Sequence, residues 1–392
     1  MSQHLYCVHD KIYNLADFVE KHPGGSNAFA NLHRGGINDI TPLVYSYHKD
    51  PAIIFEVLAK YEVPNDKRNA VSIQYMTNYK YDKYVELKKL VYNEIREKGL
   101  PLYWSTVEIA RNIGGFAIYV WIWIHCANLV ITHQLVSAWW FVLLSFINVG
   151  HCALVFHETS HHVGFRNQRA NDVVSYIAVA PIITTEEWKW DHNYLHHCFT
   201  NTKFDADYNG HLQTFRHSPN HPHYWQHQFQ HIYAFALFCL GGLSGQIDSI
   251  KHERWNFLLF MSILYCFGIY NTLVFYFLTG FMFLAIAQLS HIQPECVAAP
   301  SNDFLINQVT SSMNYKTENP IVRFLCFGLD IQIEHHLFPN IPHSTLRQVQ
   351  HIVRDYCVKN GIQYIEKQDI FEMMNSYLLH LYEMGKRPVR NI

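Results

Sequence analysis

Between Asn112 and Phe165 the chain carries no Lys or Arg and a single acid, Glu158. That stretch is too long and too apolar for one buried helix. It divides at Thr132-His133-Gln134 into segments near 113–131 and 135–156, each close to the ~20 residues that cross ~30 Å of hydrocarbon. The pattern predicts a membrane hairpin. A second apolar region, 232–289, is interrupted by Asp248, Lys251, Glu253 and Arg254. It predicts two further spans, near 232–250 and 257–289, about four in all. The shorter apolar run at 173–183 suits an interfacial or re-entrant helix. Farther on, Leu346, Val349 and Val353 recur at helical spacing in a more polar C-terminal part.

The first stretch differs. Residues 1–64 have mixed polarity, the alternating run Lys11-Ile12-Tyr13-Asn14-Leu15, and glycine pairs at Gly24-Gly25 and Gly35-Gly36, which predicts a small α+β unit. A polar linker over 65–77 opens on Asn65-Asp66-Lys67-Arg68-Asn69 after Pro64. The all-α membrane domain then occupies 78–392, with a helical cap on the cytoplasmic side.

Charge orients this arrangement. Lys80, Lys83, Lys88, Lys89, Arg96, Lys98 and Arg111 precede the first span, and Arg166, Arg169 and Lys189 follow the second. The positive-inside bias places both groups in the cytoplasm, although Lys251 and Arg254 then fall in an outer loop. With 49% hydrophobic and 16% charged residues, a disordered chain is excluded. A net charge of −2 leaves no electrostatic footprint for nucleic acid. The nine Cys form no CxxC pair, and Met1-Ser2-Gln3-His4 begins no basic-then-apolar leader, so a reducing, cytosolic setting is expected for the N-terminal part.

Histidine changes the picture most. The chain has 27 His against 30 Lys plus Arg, and three clusters stand out. They are His157-Glu158-Thr159-Ser160-His161-His162, His192-Asn193-Tyr194-Leu195-His196-His197 and Gln332-Ile333-Glu334-His335-His336. At this His frequency, about 0.13 chance matches to HxxxHH are expected, so two boxes and a further pair are not coincidence. Positions i and i+4 share a helix face, and neutral imidazole suits Fe, Zn, Cu and Ni. Eight imidazoles exceed one tetrahedral zinc. All three clusters fall at span ends on one membrane side. His157 to His161 also reads as HExxH, the pattern of a membrane zinc protease, with Asp330 as a further ligand. That reading leaves His192, His196, His197, His335 and His336 unused. His211, His217, His221, His223, His227 and His231 lie among Pro, Asn and Gln at irregular spacing, which suits surface or capping roles. His125 and His133 lie at the far end of the first hairpin, away from such a site.

These boxes, with Trp188-Lys189, Thr200-Asn201 and Leu337-Phe338-Pro339 beside them, resemble the membrane-bound front-end fatty acid desaturases that carry a fused N-terminal cytochrome b5 domain. Gln332 stands for the first His of the third box. His22-Pro23-Gly24-Gly25 resembles the cytochrome b5 haem motif, and Asp39-Ile40-Thr41 leading to His48 resembles the segment bearing the second axial ligand. There are departures: Glu158 stands where Asp is more usual, His162 is an addition, and the first strand of the haem fold is short.

The resemblance implies two non-haem irons held by His157, His161, His162, His192, His196, His197, His335, His336 and Gln332. On position alone, His291 matches a further ligand. Glu158, Asp191 and Asp205 are candidates to orient imidazoles, and His151 to pack beside them. It implies haem b on His22 and His48, with electrons from NADH through a separate cytochrome b5 reductase, and dioxygen as oxidant. The substrate would be an acyl-CoA or acyl-lipid chain, desaturated toward its carboxyl end. The setting would be a multi-pass protein among the lipids of the endoplasmic reticulum membrane, with haem domain and boxes facing the cytoplasm. A sphingoid-base desaturase and a lipid hydroxylase share the scaffold. A non-enzymatic haem-binding membrane anchor is the alternative from another class.

Overall fold

The computed structural model describes residues 4–29, 32, 38–64, 78–134, 136–179, 185–209, 212–252, 254–296 and 300–387. The linker 65–77, the Gly35-Gly36 pair, His211 and Glu253 lie outside them. The described fold is mostly helical. Among the described residues three helices are long and apolar enough to cross a membrane: Thr106–Ile131, Ala138–Ser160 and Phe257–Leu289. Their surfaces rule out a greasy soluble core, because Ile113, Trp121, Ile124 and Trp139 are 58–77% exposed. Apolar faces of that extent need lipid as solvent.

The spans differ in detail from the sequence pattern. The first starts at Thr106 rather than near 113, because Ser105 and Glu108 form a capping box that carries the helix into polar residues. The second runs to Ser160 rather than 156, through a π-helical segment at Asn148–Ala153, so His157 lies inside its last turn. The expected span near 232–250 does form a helix, Gln230–His252, long enough to cross but less apolar than the three. The region 257–289 belongs to one long helix, Arg254–Leu289, broken in conformation at Gly268, where φ is 72°. The apolar run at 173–183 contributes to a helix, Gln168–Val179, whose Val173 and Ile177 are exposed; residues 180–183 are outside the description.

The helix Gln230–His252 packs along Arg254–Leu289 at a point where Gly242 meets Gly280. A Cβ on Gly280 would strike the backbone of Gly242 and Phe238, and one on Gly242 would strike Tyr276 and Gly280. Small residues let helix backbones touch in lipid. Gly280→Val is therefore expected to destabilise the protein by about 1–3 kcal/mol, read as a lower thermal midpoint in detergent, while Gly114→Ala, in open space, leaves it unchanged.

The N-terminal unit has less sheet than an α+β domain suggests. A hairpin pairs Leu5–Val8 with Lys11–Asn14 in the register Tyr6↔Tyr13, extended among the described residues by single bridges from Cys7 to Asp39 and from Tyr13 to Glu62. The helices Thr41–Tyr47 and Pro51–Leu58 follow. Its Tyr6, Val8, Leu15, Val44 and Leu58 share one core with Leu87 and Val91 of the helix Asp82–Glu97 and with Leu346, Val349 and Val353 of the helix His343–Lys359. The predicted amphipathic stripe of this last helix faces that shared core. The unit is thus seated on the cap over the span ends.

Candidate metal centre

The site is built where the span ends meet the cap. Box one occupies the last turn of the second span. Box two lies on a π-helical segment, Lys189–His196, whose i→i+5 hydrogen bonding brings a residue and the one five later onto nearly the same face. His192 and His197 consequently point together, their Nε2 atoms 3.2 Å apart, while His196, stacked beside His192 at 5.3 Å, aims its Nε2 at His291. Box three is a short helix, Gln332–Leu337, on which His335 and His336 diverge with ring planes at 90°. It follows Gly328, which has φ 92°; a Cβ there would strike the ring of His343.

Two groups of imidazoles result. His157, His161, His192, His197 and His335 form one, and His196, His291 and His336 the other, each with one donor atom per residue inside 4.8 Å; all are buried. Within the first group Nε2 of His192 lies 3.0 Å from His157, and Nε2 of His197 lies 3.1 Å from His335. Within the second, Nε2 of His291 is 3.3 Å from His196 and 2.9 Å from the Gln332 amide nitrogen. The Gln332 Oε1 has no hydrogen-bond partner, and amide O and N exchange by a flip. The two groups adjoin through His197, whose ring stacks on His336 at 4.3 Å.

Partners behind the rings are uneven. Asp205 faces His196 Nδ1 with both oxygens at 3.1 Å. The carbonyl of Ser311 lies 2.9 Å from His291 Nδ1, and Gln308 Oε1 lies 3.0 Å from His336 Nδ1. In the first group the Nδ1 atoms of His157, His197 and His335 have no hydrogen-bond partner, but Tyr47 Oη lies 2.7 Å from His161 Nδ1. Burial holds His161, His192, His197, His291, His335 and His336 well below the ordinary imidazole pKa, so these rings are neutral and their lone pairs free. Burial also pulls on His196, yet Asp205 and Asp207 outweigh it and push it up to about 9.

Several expected roles fall elsewhere. His162 joins neither group: the helix ends at Ser160, His162 takes a left-handed φ of 63°, and its ring turns toward Gln168, Asp172 and Lys189. Glu158 accepts from the Trp104 indole N–H at 2.5 Å and from His343 N–H and Nδ1–H at 2.9 Å each, so it is not a base beside His157 and His161. Asp330 pairs with Arg347 at 2.6 Å, far from a protease ligand's role. His151 packs against Gly115, with its Nε2 3.1 Å from the Asn112 carbonyl. His223 and His380 bond the backbone of Gly385 and His217, fastening the C-terminal helix. His343, stacked on His335 at 4.9 Å, was not legible in the boxes; it follows Pro342 at no metal-ligand spacing. In the N-terminal unit the rings of His22 and His48 face each other at 6.0 Å and 77°.

Residues 133–368, more than half of the chain and all three boxes, match the fatty acid desaturase family. The chain belongs to this family. Similar proteins include acyl-lipid (8-3)-desaturase B of Dictyostelium discoideum, 23% identical over 97% of this chain and 91% of its own. Acyl-lipid omega-13 desaturase of Chlamydomonas reinhardtii is 24% identical over 97% and 93%. The sn-1 linoleoyl-lipid 6-desaturase of Synechocystis is 26% identical over 60% of this chain and 81% of its own length. The chain is a fatty acid desaturase, a membrane oxidoreductase, and the protease reading is set aside.

The family implies non-haem iron, an acyl-lipid substrate and dioxygen. The desaturase's own side chains fit such a metal. Nε2 atoms spaced near 3 Å match the edge of a coordination polyhedron whose ligands stand ~2.1 Å from a common centre. Neutral imidazole Nε2 atoms that meet only one another at that spacing are best used together by one metal.

Proposed function

We propose that this desaturase is a front-end enzyme that introduces a cis double bond between an existing one and the carboxyl end of an acyl-lipid or acyl-CoA chain. The observation that carries this reading is the convergence of eight buried imidazoles from span ends and cap into two adjoining groups. In this reading His157, His161, His192, His197 and His335 hold one iron, and His196, His291, His336 and the Gln332 amide oxygen hold the second. Bound iron supplies, with dioxygen, the oxidising power to take hydrogen from unactivated methylenes that no side chain has. Asp205, Ser311, Gln308 and Tyr47 fix ring orientation through the outer nitrogens. Burial keeps the ligand rings neutral, apart from His196, which Asp205 and Asp207 push up, and excludes water from the reacting chain. Names of relatives that include acyl-lipid and linoleoyl-lipid support a lipid-linked substrate.

The N-terminal unit, 1–64, is read as a haem b carrier on His22 and His48, joined by 65–77 to the desaturase domain. Two imidazoles sharing one iron ~2 Å from each nitrogen have ring centres about as far apart as the 6.0 Å here. A Cβ on Gly24 would press on the His22 ring, which accounts for glycine there. A haem so ligated has no open position and only carries electrons, delivered from NADH by a separate cytochrome b5 reductase. The basic flanks support boxes and haem unit facing the cytoplasm of the endoplasmic reticulum membrane, with Gln230–His252 as the fourth crossing.

Expression in a host fed defined polyunsaturated acids, followed by double-bond mapping, tests the activity. A new cis bond on the carboxyl side supports it; a hydroxylated product or none overturns it. His22→Ala is expected to abolish haem binding and haem-supported turnover while leaving the non-haem iron in place, as measured by metal analysis of the purified chain. Loss of that iron as well would argue against two separate sites.

A further inference from the structure

The candidate haem ligand and the candidate iron ligands meet at one residue. Tyr47 ends the helix Thr41–Tyr47, and His48 is its C-cap. One position from His48, the Tyr47 hydroxyl lies 2.7 Å from Nδ1 of His161, 114 residues away in sequence. His161 Nε2 has no partner and points into the five-histidine group. With Nε2 toward metal, Nδ1–H donates to the Tyr47 oxygen.

The contact is held by the fold rather than by the hydroxyl. Lys88 Nζ donates to the carbonyls of Tyr45 and His48 at 2.5 Å each. Asn340, just beyond box three, donates to the Tyr47 carbonyl at 3.0 Å. Tyr194, inside box two, donates to the Asp39 carbonyl at 2.6 Å. All three donors come from the desaturase domain and grip the backbone around His48. Losing the phenol oxygen leaves this seat intact.

We propose that Tyr47 is the bridge through which electrons pass from the haem unit into the histidine site, a deepening that rests on the haem and di-iron reading above. The path runs from His48 through one peptide unit and the Tyr47 ring, then across one hydrogen bond to His161. Each transfer oxidises ferrous haem to ferric and reduces the ferric non-haem site by one electron. No bond forms or breaks, and no proton leaves the phenol. Tyr47 is a positioning residue that acts through His161.

The test uses the full-length desaturase in lipid nanodiscs, with haem pre-reduced by dithionite under anaerobic conditions and its Soret band followed as the haem reoxidises. Tyr47→Phe keeps the ring and removes the hydrogen bond. The variant is expected to retain haem with an unchanged midpoint potential and, because His161 is one of five imidazoles in its group, its non-haem iron, yet to reoxidise severalfold more slowly. Asn340→Ala removes one seat bond but keeps the hydroxyl, and Lys88 and Tyr194 still hold the backbone, so it is expected to reoxidise at the wild-type rate. A wild-type rate in Tyr47→Phe, or an equal slowing in Asn340→Ala, overturns the bridge. So does loss of non-haem iron from Tyr47→Phe, which assigns the hydroxyl to holding His161 alone. If the wild-type chain binds no haem or no non-haem iron, the haem and di-iron reading fails first and takes the bridge with it, and wild-type metal analysis separates that case.

Discussion

His197→Ala is expected to abolish desaturation and to strip iron from the site. The ring occupies the junction of the two imidazole groups. Its Nε2 lies 3.2 Å from His192 and 3.1 Å from His335, and its face stacks on His336 at 12°. Removing it takes a donor from the first group and the wall that orients His336 in the second. Loss of a partner one step behind a metal ligand costs about 10–100-fold, so loss of a ligand at this junction is expected to exceed 100-fold in turnover. Iron per chain, measured on purified protein, falls with it. His162→Ala serves as the comparison: its ring lies outside both groups, so iron content stays near wild type. Full iron retention in His197→Ala would count against the assignment of these groups as the metal site.

The contrast between His197 and His162 illustrates what the sequence can express. The boxes are legible because their spacing is local, and the spans because apolar residues are contiguous. Which iron group a histidine joins is not local. On an α-helix the residue five along is turned by about 140°, which separates His192 from His197; the wider π-helical turn brings them within reach, while His196 aims its Nε2 at His291. His162 leaves because the helix stops at Ser160, a boundary set by tertiary packing. Span starts are misplaced for a similar reason, since Ser105 and Glu108 cap the first helix amid polar residues.

Contacts over long separations are hidden altogether. Tyr47 reaches His161 across 114 residues, and His343 reaches Glu158 across 185. Nothing in either segment marks the pairing. Gly328 carries a trace of it, because only a residue without Cβ leaves room for His343, but a single glycine before a box has many explanations. Among the carboxylates, Glu158 and Asp205 look alike in sequence. Glu158 is spent on His343 and Trp104, and Asp205 on His196.

That difference makes Asp205→Asn the sharper experiment on the second group. Asp205 is buried and serves four donors. Besides His196 Nδ1–H it accepts from the backbone N–H of Asn201 at 2.7 Å, Asp207 at 2.9 Å and Tyr208 at 3.3 Å. Asparagine keeps the shape but offers one acceptor oxygen in place of two, and turns its amide N–H₂ toward a donor on one side. His196 then meets an N–H₂ in place of one of the two oxygens, and either Asn201 or the pair Asp207 and Tyr208 loses its acceptor. An unmet buried donor costs about 1–3 kcal/mol, and relief comes most readily by rotating the imidazole, which turns its Nε2 from His291 and Gln332. Iron binding at the second group is expected to weaken about 10–100-fold, while the first group, whose rings Asp205 does not touch, keeps its iron. Chelator titration of the purified variant should therefore resolve one labile and one retained iron, with desaturation lost when the labile one leaves. Two irons leaving together at wild-type chelator concentration would assign Asp205 to the loop between box two and Tyr208 rather than to the metal.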